Sequence, residues 1–339
     1  MKKKFIDKTP FFIAEISGNH NGKISNAKKL IDLAKKGGAD AVKLQTYTPD
    51  MMTLKNNKFK IKTGLWAKKY LWDLYKKAHT PLNWHKSLYS YAKKKKIKIF
   101  STPFSTDGVD FLEKLNTQIY KVSSFEMNDL NLIKRIAQTK KPMIISTGLA
   151  SLNEIKRTVI TAKKNGCKKI YLLYCVSSYP SKAIDFNLNN IETLKKKFNC
   201  SVGLSDHSLG SKIASLAVCK GAEIIEKHIC LKNIRSVDSD FSLTEDEILK
   251  FRNDINLADQ LVKNPKFTRS KDEEKNKIFR RSIYAIKDIK KGEKFSALNI
   301  KTFRPNLGLS ATHYFNLINK KSPYNIKKNK PLSKNLVKK

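Results

Sequence analysis

The chain has 339 residues, enough for one large domain with a small companion or for two medium ones. Hydrophobic residues make up 40% of it, which supplies a sizeable core and excludes global disorder, while 69 Lys and Arg against 29 Asp and Glu give a formal net charge of +40. The basic residues are mostly lysines spread over the whole length, in runs such as 93–96 and 195–197 that sit within or beside helical spacing, with no Arg-rich arm and no aromatic-interleaved basic repeat; a nucleic-acid partner is therefore not expected.

Residues 11–17 (FFIAEIS) open the chain as a strand. Ala27, Leu30, Ile31 and Ala34 then recur at helical spacing, and Gly37-Gly38 ends that helix. AVKLQTY (41–47) is a strand by length and composition, followed by IFSTPF (99–104), IYKVSS (119–124), MIISTG (143–148), IYLLYCV (170–176), SVGLSD (201–206) and EIIEKHIC (223–230), with helical patterns between them. Eight β–α units in this length predict a (βα)8 TIM barrel over residues 1–263. The rival, an open doubly wound sheet, lacks a GxGxxG after any strand. Residues 264–280 are charged and without periodicity, which predicts a linker with room for a helical turn, and 281–339 carry short β-like runs with a KKGE turn, a small β-rich domain.

Side chains of one parity along a barrel strand enter the lumen. Lys43 and Gln45 share a face of the second strand; Gly203, Ser205 and His207 share one in the seventh; Glu226 and His228 share one in the eighth. Glu15, Thr102, Lys121, Ser146 and Ser177 lie at or near the C-terminal ends of their own strands. Polar groups are thus delivered to the rim where barrel active sites are built, and burying so many unpaired would cost ~1–3 kcal/mol each. His207 and His228, from adjacent strands with Gln45 and Glu226 near, suit a shared divalent cation (Mn²⁺, Mg²⁺ or Co²⁺) with open positions for water and substrate. Lys43 and Lys121, with hydroxyls from Thr102, Ser124, Ser146 and Ser205, suit an anion carrying carboxylate and phosphate. A Schiff-base aldolase with Lys43 or Lys121 as nucleophile is the chemical alternative, and a basic nucleic-acid-binding protein is the non-enzymatic one, supported by charge alone.

The five cysteines form no CxxC pair and are odd in number, as reduced thiols would be, and no thiol has an obvious place among the metal ligands. No stretch approaches the ~18 apolar residues of a membrane span, and the basic start is interrupted by Asp7, Pro10 and Glu15, so a cytoplasmic protein without a membrane partner is expected.

AEISGNHNG (14–22), GADAVKLQTYTPD (38–50), STPF (101–104), YKVSSFE (120–126), STG (146–148), SSYP (177–180), GLSDHSLG (203–210) and EKH (226–228) together resemble the sialic acid synthase family, and the C-terminal part resembles its antifreeze-like (SAF) domain. TYTPDMMTL (46–54), GLW (64–66), TPLNWH (80–85) and DSDFS (238–242) are closest to the branch that uses 2,4-diacetamido-2,4,6-trideoxy-L-altrose, with N-acetylneuraminate or legionaminic acid synthesis as alternatives. The resemblance implies condensation of phosphoenolpyruvate with an amino-sugar aldehyde. Lys43, Thr102, Lys121, Ser124, Ser146, Ser177 and Ser205 would contact phosphoenolpyruvate, His207 and His228 the metal, and Glu126 the reacting centre. Glu15, Gln45, Tyr179 and Asp238 would line the sugar side, and Arg304 would reach it from the partner in a domain-swapped homodimer. Two departures from the family pattern stand out: Ser177 where sialate-type members commonly have Asn, and RPN (304–306) in place of RPG.

Overall fold

The computed structural model describes residues 4–55 and 59–337, so the first three residues of the basic start and the last two of the chain lie outside it. Two compact units divide the chain, Met1–Asn264 and Pro265–Lys339. In the first, eight described strands close into a parallel barrel in sequential order. They are β1 (Phe11–Glu15), β2 (Ala41–Thr46), β3 (Lys98–Pro103), β4 (Tyr120–Val122), β5 (Met143–Ser146), β6 (Ile170–Cys175), β7 (Ser201–Asp206) and β8 (Ile224–His228). The helices between and after them are α1 (Ile24–Lys36), α2 (Pro49–Met52), α3 (Leu71–Ala78), α4 (Leu82–Lys94), α5 (Thr106–Lys114), α6 (Leu130–Gln138), α7 (Leu152–Lys164), α8 (Asn189–Phe198), α9 (Lys212–Cys219) and α10 (Glu245–Val262). The TIM barrel expected from the alternating runs is the fold.

The strands read as near-continuous apolar runs because both of their faces are covered. One parity fills the lower lumen with Phe11, Ile13, Phe100, Ile119, Ile144, Leu173 and Ile224. The other parity, including Phe12, Ala14, Val42, Leu44, Val122 and Ile225, packs under the helices. α1 buries Ala27, Leu30, Ile31 and Ala34, as its spacing predicts. Its stop is set by packing as well as by propensity: a Cβ on Gly37 would lie 2.5 Å from Ile248 of α10, and Gly38 has φ +75°, which only glycine adopts without strain. Capping boxes start α7 (Ser151 with Glu154) and α10 (Thr244 with Glu247).

Two local readings differ from the structure. The fourth strand ends at Val122, before Ser123-Ser124, because the Ser123 hydroxyl donates to the Glu126 carboxylate and turns the chain out of the ladder. Between β2 and α4 the chain makes an excursion over residues 47–81, holding α2 and α3, whose apolar residues follow no period and went unassigned by the sequence.

In the second unit residues 265–280 are exposed throughout and carry the single turn α11 (Lys271–Lys275), capped by Ser270. Beyond it, β9 (Ser282–Ala285) pairs antiparallel with β10 (Ile300–Phe303), and α12 (Tyr314–Leu317) follows. Ile283, Ile289, Phe295, Ile300, Leu309, Leu317, Ile326 and Leu332 form this unit's own core. Among the described residues no helix is long and apolar enough to cross a membrane.

Candidate active site

Above the apolar floor the lumen turns polar, and the change happens within each strand. β1 supplies Phe11 and Ile13 and then Glu15; β4 is preceded by Ile119 and then supplies Lys121; β8 supplies Ile224, then Glu226 and His228. Glu15, Lys43, Lys121 and Glu226 are all essentially buried. The Lys43 ammonium lies 2.5 Å from Glu15 Oε2 and 3.6 Å from Glu226 Oε1, and donates to Thr102 Oγ1 at 3.2 Å. Lys121 donates to Ser146 Oγ at 2.6 Å and sits 3.6 Å from the same Glu226 oxygen, which also accepts from Ser205 Oγ at 3.1 Å.

The two carboxylates are held differently. Burial pushes Glu15 up to about 7 despite Lys43 beside it. Burial also opposes the charge on Glu226, but Lys121 and Lys43 together hold it below the usual carboxylate range. Burial opposes the charge on Lys43, but Glu15 and Glu226 outweigh it and draw the amine up; burial draws Lys121 down. Two lysines, two carboxylates and several hydroxyls thus meet in a low-dielectric lumen, where the ammonium groups can also pair with an incoming anion.

His207 and His228 face each other with ring centroids 5.5 Å apart. The Nδ1 of His207 lies 3.2 Å from the Val176 carbonyl, the backbone contact that fixes a tautomer and leaves Nε2 as the free lone pair. His228 keeps a buried Nδ1 without a hydrogen-bond partner, 3.9 Å from Asp238. Burial and the surrounding cations hold the His228 imidazole neutral. A neutral His228 ring with an unpartnered Nδ1, beside a His207 Nε2 that the protein leaves unused, fits a divalent cation. Among the described residues no group of three or more His, Cys, Asp or Glu could hold one, so two imidazoles would leave the remaining positions to water and substrate.

A cavity of about 500 Å³ opens onto this floor. Lys43, Gln45, Lys121, Ser124, Glu126, Ser146, Tyr179, Ser205, His207, Glu226, His228 and Asp238 line it. Glu15 and Thr102 lie beneath, in contact with Lys43. Ser177 is turned toward Cys175, with sulfur and oxygen 3.7 Å apart, and toward Gly148, where any Cβ would collide with the Ser177 and Ser124 hydroxyls. Arg304 belongs to the second unit, exposed just after β10. Asp238 is pinned by the Ser17 hydroxyl at 2.5 Å, and burial lifts its carboxyl to about 6.

Sequence reasoning missed the opposite wall of the cavity. Met52, Ile61, Trp66, Leu71, Leu74 and Tyr75, all from the excursion after β2, make it apolar. Trp66 donates to the Val237 carbonyl at 3.0 Å and packs on Tyr179, which in turn lies 4.5 Å from the His207 ring. One thiol that the sequence reading did not place also lines the cavity: Cys175, 3.9 Å from His207 Nδ1. Its strand parity, two residues before Ser177, was the available signal.

Burial lifts the Glu126 carboxyl from 4.5 to about 7. The unfolded chain titrates lower, so folding carries no penalty below 4.5 and a growing one as pH rises to about 7. Glu126→Gln is therefore expected to gain stability over wild type between about pH 5 and pH 8, by up to ~3 kcal/mol, in urea denaturation at each pH. A stability difference that stays constant across that range would show the carboxyl is not held protonated.

The NeuB family model matches residues 30–266, and the SAF domain model matches 280–338. The chain is 45% identical to a pseudaminic acid synthase of Campylobacter jejuni over 95% of this chain and 94% of that one. It is 42% identical to a pseudaminic acid synthase of Helicobacter pylori over 96% of each. Among solved structures, an N-acetylneuraminic acid synthetase from Leptospira borgpetersenii superposes with a TM-score of 0.71 at 31% identity, covering 80% of this chain and 90% of that one. A closed barrel with two lysines, two imidazoles and paired carboxylates at its C-terminal rim, matched over this length, leaves one assignment: the chain belongs to the NeuB family and carries a SAF domain.

Proposed function

We propose that the chain is a pseudaminic acid synthase, condensing phosphoenolpyruvate, 2,4-diacetamido-2,4,6-trideoxy-L-altrose and water to pseudaminic acid and phosphate. The observation that carries the reading is the division of one cavity into a floor of buried lysines and carboxylates and an apolar wall. Phosphoenolpyruvate is small and multiply anionic, so it belongs on the floor. Lys43 and Lys121 offset its charge, and the hydroxyls of Thr102, Ser124, Ser146, Ser177 and Ser205 give direction. C3 of phosphoenolpyruvate forms the new bond to the sugar's C1, water adds at C2, and phosphate departs with its bridging oxygen. His207 and His228 would hold a divalent ion (Mn²⁺, Mg²⁺ or Co²⁺), which when bound polarises the aldehyde oxygen as a Lewis acid. Glu126, whose proton is held to about neutral pH, stands where it can exchange one with substrate or water. Glu15, Gln45, Tyr179 and Asp238 serve the sugar's polar side.

The aldehyde end must meet C3 above the floor, so the sugar's far end points to the mouth. There Met52, Ile61, Trp66 and Leu74 suit a methyl group better than a hydroxymethyl. Expected kcat/KM is therefore roughly 100-fold or more higher with the diacetamido trideoxy sugar than with N-acetylmannosamine, read as phosphate release across a sugar panel. A higher value for N-acetylmannosamine would transfer the chain to another branch and leave the reaction class standing. We further propose a cytoplasmic homodimer in which the SAF domain of one copy, through Arg304, serves the barrel of the other.

A further inference from the structure

Asp206 and Lys227 are cross-strand neighbours on β7 and β8, each one residue before a cavity histidine. Their parity is opposite to that of the histidines, so they point out of the lumen into the layer beneath the helices. Lys227 Nζ lies 3.0 Å from Asp206 Oδ2, donates to the Ser208 carbonyl, and stands 6.0 Å from the ring centroid of Phe251 on α10. Asp206 Oδ1 accepts from the Ser208 backbone N–H at 2.8 Å and from its hydroxyl at 2.6 Å. Asp206, Lys227 and Ser208 are 0%, 1% and 2% exposed.

The layer around them is apolar, with Leu204, Ile225 and Phe251 in its core. Stability alone does not explain an ion pair there, since desolvation consumes most of the Coulomb gain and a packed apolar pair does as well. What an ion pair supplies is direction. A 3.0 Å contact exists in one register and at one strand separation, whereas an apolar contact tolerates sliding. Through Ser208 the same network fixes the backbone on both sides of His207. On the lumen side the His207 ring is held by the Val176 carbonyl, whereas His228 packs on Phe241 and its Nδ1 has no hydrogen-bond partner.

We propose that Asp206 and Lys227 are positioning residues, a pair behind the barrel wall that sets the separation of the two imidazoles for a shared divalent ion. The inference rests on reading His207 and His228 as that ion's ligands. The test titrates Mn²⁺ into metal-free protein by calorimetry, with thermal unfolding of the same samples. The double variant Asp206→Leu/Lys227→Met removes both charges together, so neither is left buried alone. It is expected to melt within a few degrees of wild type and to bind Mn²⁺ roughly 10- to 100-fold more weakly. Lys227→Arg keeps the charge but not the geometry, and is expected to weaken Mn²⁺ binding severalfold with melting unchanged. Wild-type Mn²⁺ affinity in the double variant, or in Lys227→Arg where the double variant fails to fold, overturns the positioning role. His228→Ala separates the two readings: if it binds Mn²⁺ as wild type does, the ligand assignment fails and takes this inference with it.

Discussion

His207→Ala and His228→Ala should each lower kcat/KM by about three orders of magnitude or more, the scale of ~4 kcal/mol for a lost Lewis acid. Exhaustive chelation should do the same to the wild type, and a divalent ion should restore it. The two imidazoles lie 5.5 Å apart, and each keeps a nitrogen that the protein leaves unused. Both rings also pack on aromatic neighbours, His207 on Tyr179 and His228 on Phe241, so truncation removes contacts as well as a ligand. Thermal unfolding of the metal-free variants separates the two effects. Full activity in protein shown by elemental analysis to be metal-free would overturn the metal's role.

Activity should reappear when two dead variants, His228→Ala and Arg304→Ala, exchange subunits. If the SAF domain serves the other copy's barrel, a heterodimer holds one site with both lesions and one with neither. Random pairing makes half of the dimers heterodimers, so recovery approaches about a quarter of wild type. If the domain serves its own barrel, every site keeps one lesion and the mixture stays inactive. If Arg304 does not reach the sugar, Arg304→Ala is active by itself before any mixing, which identifies that case. No recovery after exchange confirmed with differently tagged subunits would rule out the swapped arrangement.

The barrel was legible because its alternation is written twice, in the apolar runs and in what interrupts them. Lys43 and Gln45 share a parity with Ala41, and Glu226 and His228 share one with Ile224, so the sequence pattern alone puts the chemistry on the lumen face. Three features were not legible, each for its own reason. Trp66 and Ile61 reach the cavity from a segment with no period, where position is fixed by tertiary contacts such as the Trp66–Val237 hydrogen bond. Lys227 reads as an ordinary solvated lysine until α10 is seen to cover it. Cys175 shows no ligand spacing with another cysteine, and only its strand parity places it on the lumen face.

The strict alternation along β1–β8 has a consequence for length. Removing or adding one residue within a strand would exchange its two faces, sending Lys43 beneath the helices and Val42 into the lumen, so the strands cannot change size by single steps. The excursion after β2 carries no such register. It leaves the barrel at Thr46, returns at α4, and can lengthen, shorten or be rewritten without shifting a single lumen residue. Descent with altered sugar preference therefore has an open route through insertions and deletions in that segment, while the residues facing phosphoenolpyruvate stay fixed in count.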